Sequence, residues 1–177
     1  MISLIYRIKF LLAGKGELYS YLKNTLGFTP HGSRFYELAL THRSATFKTK
    51  ESRHNNNERL EFLGDAVIET VVSNILYHQY PTRDEGFLST MRSKLVERKN
   101  LGRLAKAINL DKYIKVDLKH PHQESRNSYI EGNAFEALVG AIYLDRGYKP
   151  CQQFINLLIK QGHINMAKTA RVEENYK

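Results

Sequence analysis

The chain has 177 residues, 42% of them hydrophobic, which suits one domain with a core of its own. Lys and Arg outnumber Asp and Glu by 27 to 18, for a formal net charge of +9 and a pI near 9.6. That balance points to a polyanionic partner but does not separate RNA from DNA, an acidic protein or an anionic membrane. The single cysteine, Cys151, excludes an internal disulfide, fits a reducing compartment and reads as a packed residue near the start of the last helix.

The opening run, residues 1–13, is apolar but interrupted by Arg7 and Lys9, and is too short to span a membrane. It reads as an amphipathic surface helix over 3–12, or a contact for a partner or a second copy. A second short helix follows over 15–26, with Gly27 in a helix-closing position. A third covers 35–43. The polar stretch 47–56 is a loop whose Asn run can cap the next helix.

That next helix, over 58–80 and ended by Pro81, carries Glu58, Glu61 and Asp65 at offsets of three and four. At about 100° per residue the three carboxylates fall within roughly a 60° arc of one face. Such neighbours repel by roughly 0.2–0.5 kcal/mol per pair on an exposed helix. A solvated acidic face is the simpler reading. A bound cation would turn the repulsion into attraction, and hard cations such as Mg²⁺ prefer oxygen ligands. Leu60, Leu63 and Val67 supply a buried face, and Phe62 with Ala66 a second apolar stripe, so the acids border packed surface.

Asp84 can cap a following helix in which Leu88, Met91 and Leu95 recur at helical spacing, and Asn100 offers a break before a helix over 101–108. Arg92, Lys94, Arg98, Lys99 and Arg103 flank or continue this region, and two or three of them suit a merely solvated face. Residues 115–127 form a second polar loop; its His120 and His122 lack further ligands at a metal spacing, so a solvated loop is favoured. Ser128 and Glu131 stand in capping-box spacing and open a second acidic helix. Its Ala134, Ala137, Gly140 and Ala141 form a small-residue stripe that admits another helix at close range, expected to be the one carrying Glu61 and Asp65. A last helix follows Pro150, and 168–177 is polar without periodicity. No alternating strand pattern or internal repeat is present, so the fold class is all-α.

Residues 57–66, Asn-Glu-Arg-Leu-Glu-Phe-Leu-Gly-Asp-Ala, resemble the signature motif of the ribonuclease III family. Three further blocks resemble that family in its own order: Leu-Ala-Leu-Thr-His-Arg-Ser at 38–44, Asp-Glu-Gly at 84–86 with Met-Arg-Ser-Lys-Leu-Val at 91–96, and Ala-Phe-Glu-Ala-Leu-Val-Gly-Ala-Ile-Tyr-Leu-Asp at 134–145. Four collinear blocks over about residues 36–148 are far more specific than one. The resemblance implies a helical endonuclease domain over 35–165, with N-terminal helices packed on it over 1–34 and a linker remnant or tail over 166–177. Full-length bacterial members continue into a double-stranded-RNA-binding domain, and nothing here corresponds to it.

The family resemblance implies a dimeric, Mg²⁺-dependent endonuclease for double-stranded RNA, with Mn²⁺ as a substitute, processing structured precursor RNA in the cytoplasm. Two divalent ions roughly 4 Å apart can activate the water, steady the charged phosphate and assist the leaving oxygen. Glu61, Asp65 and Glu136 are then metal ligands, position 133 is a fourth, and Asp65 and Glu136 are the residues closest to catalysis. Glu58 and Glu85 are implied to support RNA or subunit contacts, and Phe62 to insert into a pocket on a second subunit rather than into this chain's core. Arg92 and Lys94 are candidates for phosphate contacts, which position a duplex without reading sequence. His42 reads as a hydrogen-bonded helix histidine.

The chain departs from the family pattern at 133, where Asn133 replaces the usual Asp. Its carbonyl can still coordinate a hard cation but brings no charge. Two rival readings follow: a weakened or inactive RNA-binding module of the same fold, or a compact enzyme dedicated to one precursor.

Overall fold

The computed structural model describes residues 16–46, 55–117 and 124–174. The helix expected over 3–12, most of the loop at 47–56 and the His120/His122 segment lie outside the described residues. Within them the chain is helical, and its sole β feature is an isolated parallel bridge between Thr41 and Lys115. The order is α1 (Glu17–Leu26), α2 (Arg34–Ala39), a 3₁₀ turn (Arg43–Thr46), α3 (Glu58–Gln79), α4 (Glu85–Leu95), α5 (Arg98–Ala107), a second 3₁₀ turn (Leu110–Tyr113), α6 (Glu124–Arg146), α7 (Tyr148–Lys160) and α8 (Met166–Glu174).

The all-α expectation holds. Helix α6 is the axis of the domain. Ala134, Phe135, Ala137, Leu138, Val139, Ala141 and Ile142 are all fully buried, so every face of this stretch meets protein. It packs against α2, α3, α5 and α7. Helix α3 brings Leu60, Val67, Ile68, Val71, Val72 and Leu76 to the shared core. The small-residue stripe allows the α3–α6 contact. A Cβ built on Gly64 would lie 1.8 Å from the Glu136 carbonyl oxygen, and one on Gly140 would lie 2.3 Å from that of Leu60. Any side chain at either position would force the helices apart and separate the acids they carry.

Several helix ends follow the expected signals. Gly27 takes the left-handed conformation, with φ 75°, and ends α1. Asp84 caps α4, its Oδ1 accepting from the Phe87 N–H at 2.8 Å. Asn57 occupies the cap position of α3, while Asn56 supplies the side-chain bond, its Oδ1 accepting from the Glu58 N–H at 3.1 Å.

Other boundaries need correction. The third helix stops at Ala39, and Arg43–Thr46 form a separate 3₁₀ turn. Helix α5 starts at Arg98, so Asn100 is not a break; its amide bonds back to the Lys94 carbonyl inside the first turn. Helix α6 starts at Glu124, four residues before Ser128, so Ser128 and Glu131 do not form its cap. Glu131 is instead buried, with Oε2 3.4 Å from Lys106 Nζ. Pro150 lies in the first turn of α7 rather than before it, which its lack of an N–H allows. The segment read as an aperiodic tail carries α8, anchored by buried Met166 against the core beside α4. Cys151 packs as expected: its thiol lies 3.4 Å from the Gly147 carbonyl, and burial pushes its pKa up to about 12.

Candidate functional site

The α3–α6 crossing opens at one end into a cleft of about 710 Å³. Helix α3 contributes Glu58, Glu61, Phe62 and Asp65, while α6 contributes Tyr129, Ile130, Asn133 and Glu136. Arg98, at the start of α5, enters from the side, and His42, Arg43, Ser44 and Asp117 form the remaining wall. All four residues expected as ligands, Glu61, Asp65, Asn133 and Glu136, therefore face one space although they are up to 75 positions apart in sequence.

The 42–44 wall is held by backbone. The His42 N–H donates to the Lys115 carbonyl at 3.0 Å, and the Asn57 N–H donates to the Thr41 carbonyl at 2.9 Å. The Asp117 N–H donates to Ser44 Oγ at 3.1 Å, and the Ser44 N–H donates to His42 Nδ1 at 3.2 Å. His42 is thus a hydrogen-bonded residue of the cleft wall, but it lies between the end of α2 and the 3₁₀ turn rather than within the helix expected over 35–43.

The acids differ in setting. Glu58 is exposed at the rim, where Arg43 Nη1 donates to its Oε1 at 3.5 Å. Glu61 is half-buried, with Oε1 3.8 Å from Arg98 Nη2. Burial raises its pKa, opposed by Arg98 and reinforced by Glu58. Glu136 lies deepest, 4% exposed. Burial lifts its carboxyl to about 7, against the pull of Arg98 and with added push from Asp65 and Glu61. Asn133 Oδ1 is buried without a hydrogen-bond partner among the described residues, as is Asn57 Nδ2. An orphaned buried acceptor costs roughly 1–3 kcal/mol.

This donor set fits a hard divalent cation. Every candidate atom is an oxygen, the charge of the deepest carboxylate is only partly offset by Arg98, and among the described residues the Asn133 carbonyl lacks a donor. Among the described residues, no three His, Cys, Asp or Glu side chains are already gathered at ligand spacing. The acids stand apart, with a guanidinium among them.

Not every expected site residue is here. Glu85, Arg92 and Lys94 do not line the cleft. Glu85 is exposed in the first turn of α4, and Arg92 Nη1 donates to Ser73 Oγ at 3.2 Å across to α3. Phe62 does not join this chain's core; it is 82% exposed, and Ala66 on the same stripe is exposed as well. What sequence reasoning missed is Arg98, seen only as one of five basic residues, and Tyr129, whose ring lies beneath the Arg98 guanidinium at 5.8 Å.

The cleft and the crossing that forms it lie within residues 33–162, which match the ribonuclease-III-like family. Ribonuclease 3 of Bacteroides fragilis is 46% identical over 173 residues, 98% of this chain, which spans 59% of that relative's length. The nuclease domain of ribonuclease III from Campylobacter jejuni superposes with a TM-score of 0.72 at 31% identity, over 83% of this chain and 97% of that one. A second structure of that nuclease domain matches at 32% identity and a TM-score of 0.70, over 80% of this chain and 95% of that one. Structural flexibility in that second structure lies in a region involved in dimer formation. With three of its four family-like blocks meeting in one cleft and a fold shared with these nuclease domains, the chain belongs to the ribonuclease-III-like family.

Proposed function

We propose that the chain is the nuclease domain of a divalent-metal-dependent endoribonuclease that cuts double-stranded RNA and processes structured precursors in the cytoplasm. One observation carries the reading: three carboxylates and an orphaned Asn133 carbonyl oxygen from two helices face a single cleft in a chain of net charge +9. Glu61, Asp65, Asn133 and Glu136 would hold Mg²⁺, or Mn²⁺ in its place. The metal supplies an activated water and charge neutralisation at the phosphate. Partly exposed Glu61 and Asp65 have room to turn toward an ion, while Glu136 is held on the cleft floor by the α3–α6 contact. Glu58 stays at the rim with Arg43, and Arg92 and Lys94, outside the cleft, would contact duplex phosphates. Glu85, away from the cleft, suits a supporting contact to RNA or a subunit.

Incubating the purified chain with a long RNA duplex, with Mg²⁺ and with chelator, tests this directly. Cutting only with the metal, and sparing of single-stranded RNA and of DNA, is the expected outcome. Duplex binding with no cutting at any Mg²⁺ or Mn²⁺ concentration would favour a binding module of the same fold, the rival that Asn133 supports.

The proposed working form is a homodimer with Phe62 at the contact. A phenylalanine 82% exposed between two acid positions lies outside the core formed by the described residues, and the flexible dimer-forming region of the Campylobacter jejuni domain is consistent with such a surface. Phe62→Ala removes a large apolar anchor, and such truncations cost roughly 2 kcal/mol or more of association. Sedimentation at micromolar concentration should shift toward monomer; a wild-type monomer at high concentration would overturn the assembly.

A further inference from the structure

Helix α5 is pressed onto α6 at two places where a side chain would not fit. A Cβ on Gly102 would lie 2.6 Å from the Ser128 carbonyl oxygen. One on Gly132 would lie 2.8 Å from the Arg98 carbonyl oxygen and 3.0 Å from Arg98 Cγ. The second contact seats the stem of Arg98, the first residue of α5, directly on α6 beside Asn133. From there the guanidinium projects into the acid cleft, over the Tyr129 ring and 3.8 Å from Glu61 Oε1.

Seating and reach combine in an unusual way. The stem is fixed by backbone contact, whereas the head is half exposed and forms a loose ion pair rather than a tight two-pronged one. Among the described residues the other arginine lining the cleft, Arg43, pairs with Glu58 at the rim and draws less strongly on Glu61 than Arg98 does. Arg98 therefore occupies the charge position that a divalent ion must take over to engage Glu61.

We propose that Arg98 is a positioning residue that holds Glu61 in the metal-free cleft and exchanges it for a divalent ion, the freed guanidinium then turning to a phosphate of the bound RNA. This rests on the metal-dependent reading above. Arg98 opposes metal binding to the free protein and favours RNA binding to the metal-loaded one. A guanidinium suits the second role because its planar fork matches phosphate oxygens.

The test separates the two roles. Titration of Mn²⁺ alone into full-length wild type, Arg98→Gln and Arg98→Lys, followed by calorimetry, measures the first without RNA. Arg98→Gln should bind Mn²⁺ more tightly by about two- to fivefold, the scale of a half-exposed ion pair, and Arg98→Lys should stay near wild type. Damage to the fold would weaken metal binding, so a gain is not a structural side effect. In duplex cleavage, Arg98→Gln should raise KM for RNA while lowering the half-saturating Mg²⁺, and Arg98→Lys should recover part of the KM. Unchanged or weaker Mn²⁺ binding by Arg98→Gln, with wild type still binding, overturns the Arg98 proposal and leaves the metal reading standing. A wild type that binds no Mn²⁺ overturns both.

Discussion

Helix α6 buries the acids Asp145 and Glu136 in opposite ways. Near its C-terminus Asp145 is fully provided for. The Tyr36 hydroxyl and the His31 N–H each donate to its Oδ2 at 2.9 Å. Around it the His31 ring contacts the Asp145 carbonyl at 3.1 Å, and Arg146 donates to the Thr29 carbonyl at 3.3 Å. Nine residues earlier Glu136 is as deeply buried but has like charges for neighbours and one loosely placed guanidinium in reach, and Asn133 Oδ1 beside it has no donor among the described residues. Asp145, buried for architecture, meets hydrogen-bond donors, whereas Glu136 is left wanting a cation. These two carboxylates, nine residues apart on one helix, can thus be sorted by what completes them, with no appeal to the family.

The largest effect expected from this contrast is on cleavage. Glu136→Ala should reduce duplex cutting at least about 100-fold, since even outer-shell partners of a metal matter by roughly 10–100-fold. Duplex binding in Ca²⁺ and the melting temperature should be little changed. Asp145→Ala should do the reverse. It strands the Tyr36 hydroxyl and the His31 N–H, and hydrogen bonds to charged groups are worth about 1.5–3 kcal/mol each. Denaturant melts should therefore show a loss of about that size, with the Mg²⁺ titration of the folded fraction unmoved. If Asp145→Ala abolished cleavage in fully folded protein, or Glu136→Ala unfolded the domain, the division would fail.

A second effect sharpens the same comparison through pH. Glu136 titrates near 4.5 in the unfolded chain and at about 7 in the fold, because burial disfavours its charged form. Between those values the unfolded state has released a proton that the folded state retains. Metal-free stability from this group is therefore complete below about pH 4.5 and is lost as pH rises through 7. Half-buried Glu61 shifts in the same direction. Metal-free melting temperature should fall by a few degrees, roughly the effect of 1 kcal/mol in a domain of this size, across that window, and Glu136→Gln should flatten the fall. Mg²⁺ at neutral pH should restore what the rise in pH removed. A metal-free melting temperature that climbs over the same window in wild type would contradict the burial of an uncompensated Glu136.

Much of this contrast was legible in the sequence. Helical spacing placed Glu58, Glu61 and Asp65 on one side of α3, and the small-residue stripe anticipated the α3–α6 contact realised at Gly64 and Gly140. Both signals are local and periodic. The misreadings arise where distant contacts decide. Ser128 and Glu131 have cap spacing, but α6 continues through them because Gly102 packs on the Ser128 carbonyl and Lys106 draws in Glu131. Helix α8 is anchored by buried Met166, with Ala170 partly buried beside the core, too short a stripe to produce a period. Phe62 lies in an apolar stripe that spacing cannot assign to a core or to an open surface. Arg98 looks like four other basic residues until the α5–α6 crossing aims it at Glu61.

A last prediction concerns Asn133 itself. It supplies an oxygen without a charge, so the four expected ligand positions offer three carboxylates, with Arg98 nearby, where the family pattern has four. Restoring the fourth by Asn133→Asp should strengthen attraction to a divalent ion. The gain is bounded, because Arg98 lies close enough to share the added charge and because a further acid beside Glu136 raises the cost of the metal-free state. That cost is itself a measurable signature. Without metal, Asn133→Asp should melt lower than wild type at neutral pH, and the difference should vanish in acid, where Glu136 is protonated. With metal, the half-saturating Mg²⁺ for cleavage should fall by about tenfold, a difference of about 1.4 kcal/mol, while the maximal rate changes less. Combining Asn133→Asp with Arg98→Gln should lower it further, since the two changes act on one pool of charge. Identical Mg²⁺ titrations for wild type and Asn133→Asp would mean that the orphaned carbonyl is not a ligand, and that its unsatisfied oxygen needs another partner. An inert wild type revived by Asn133→Asp would keep the cleft as a metal site and recast this chain as the binding form of it.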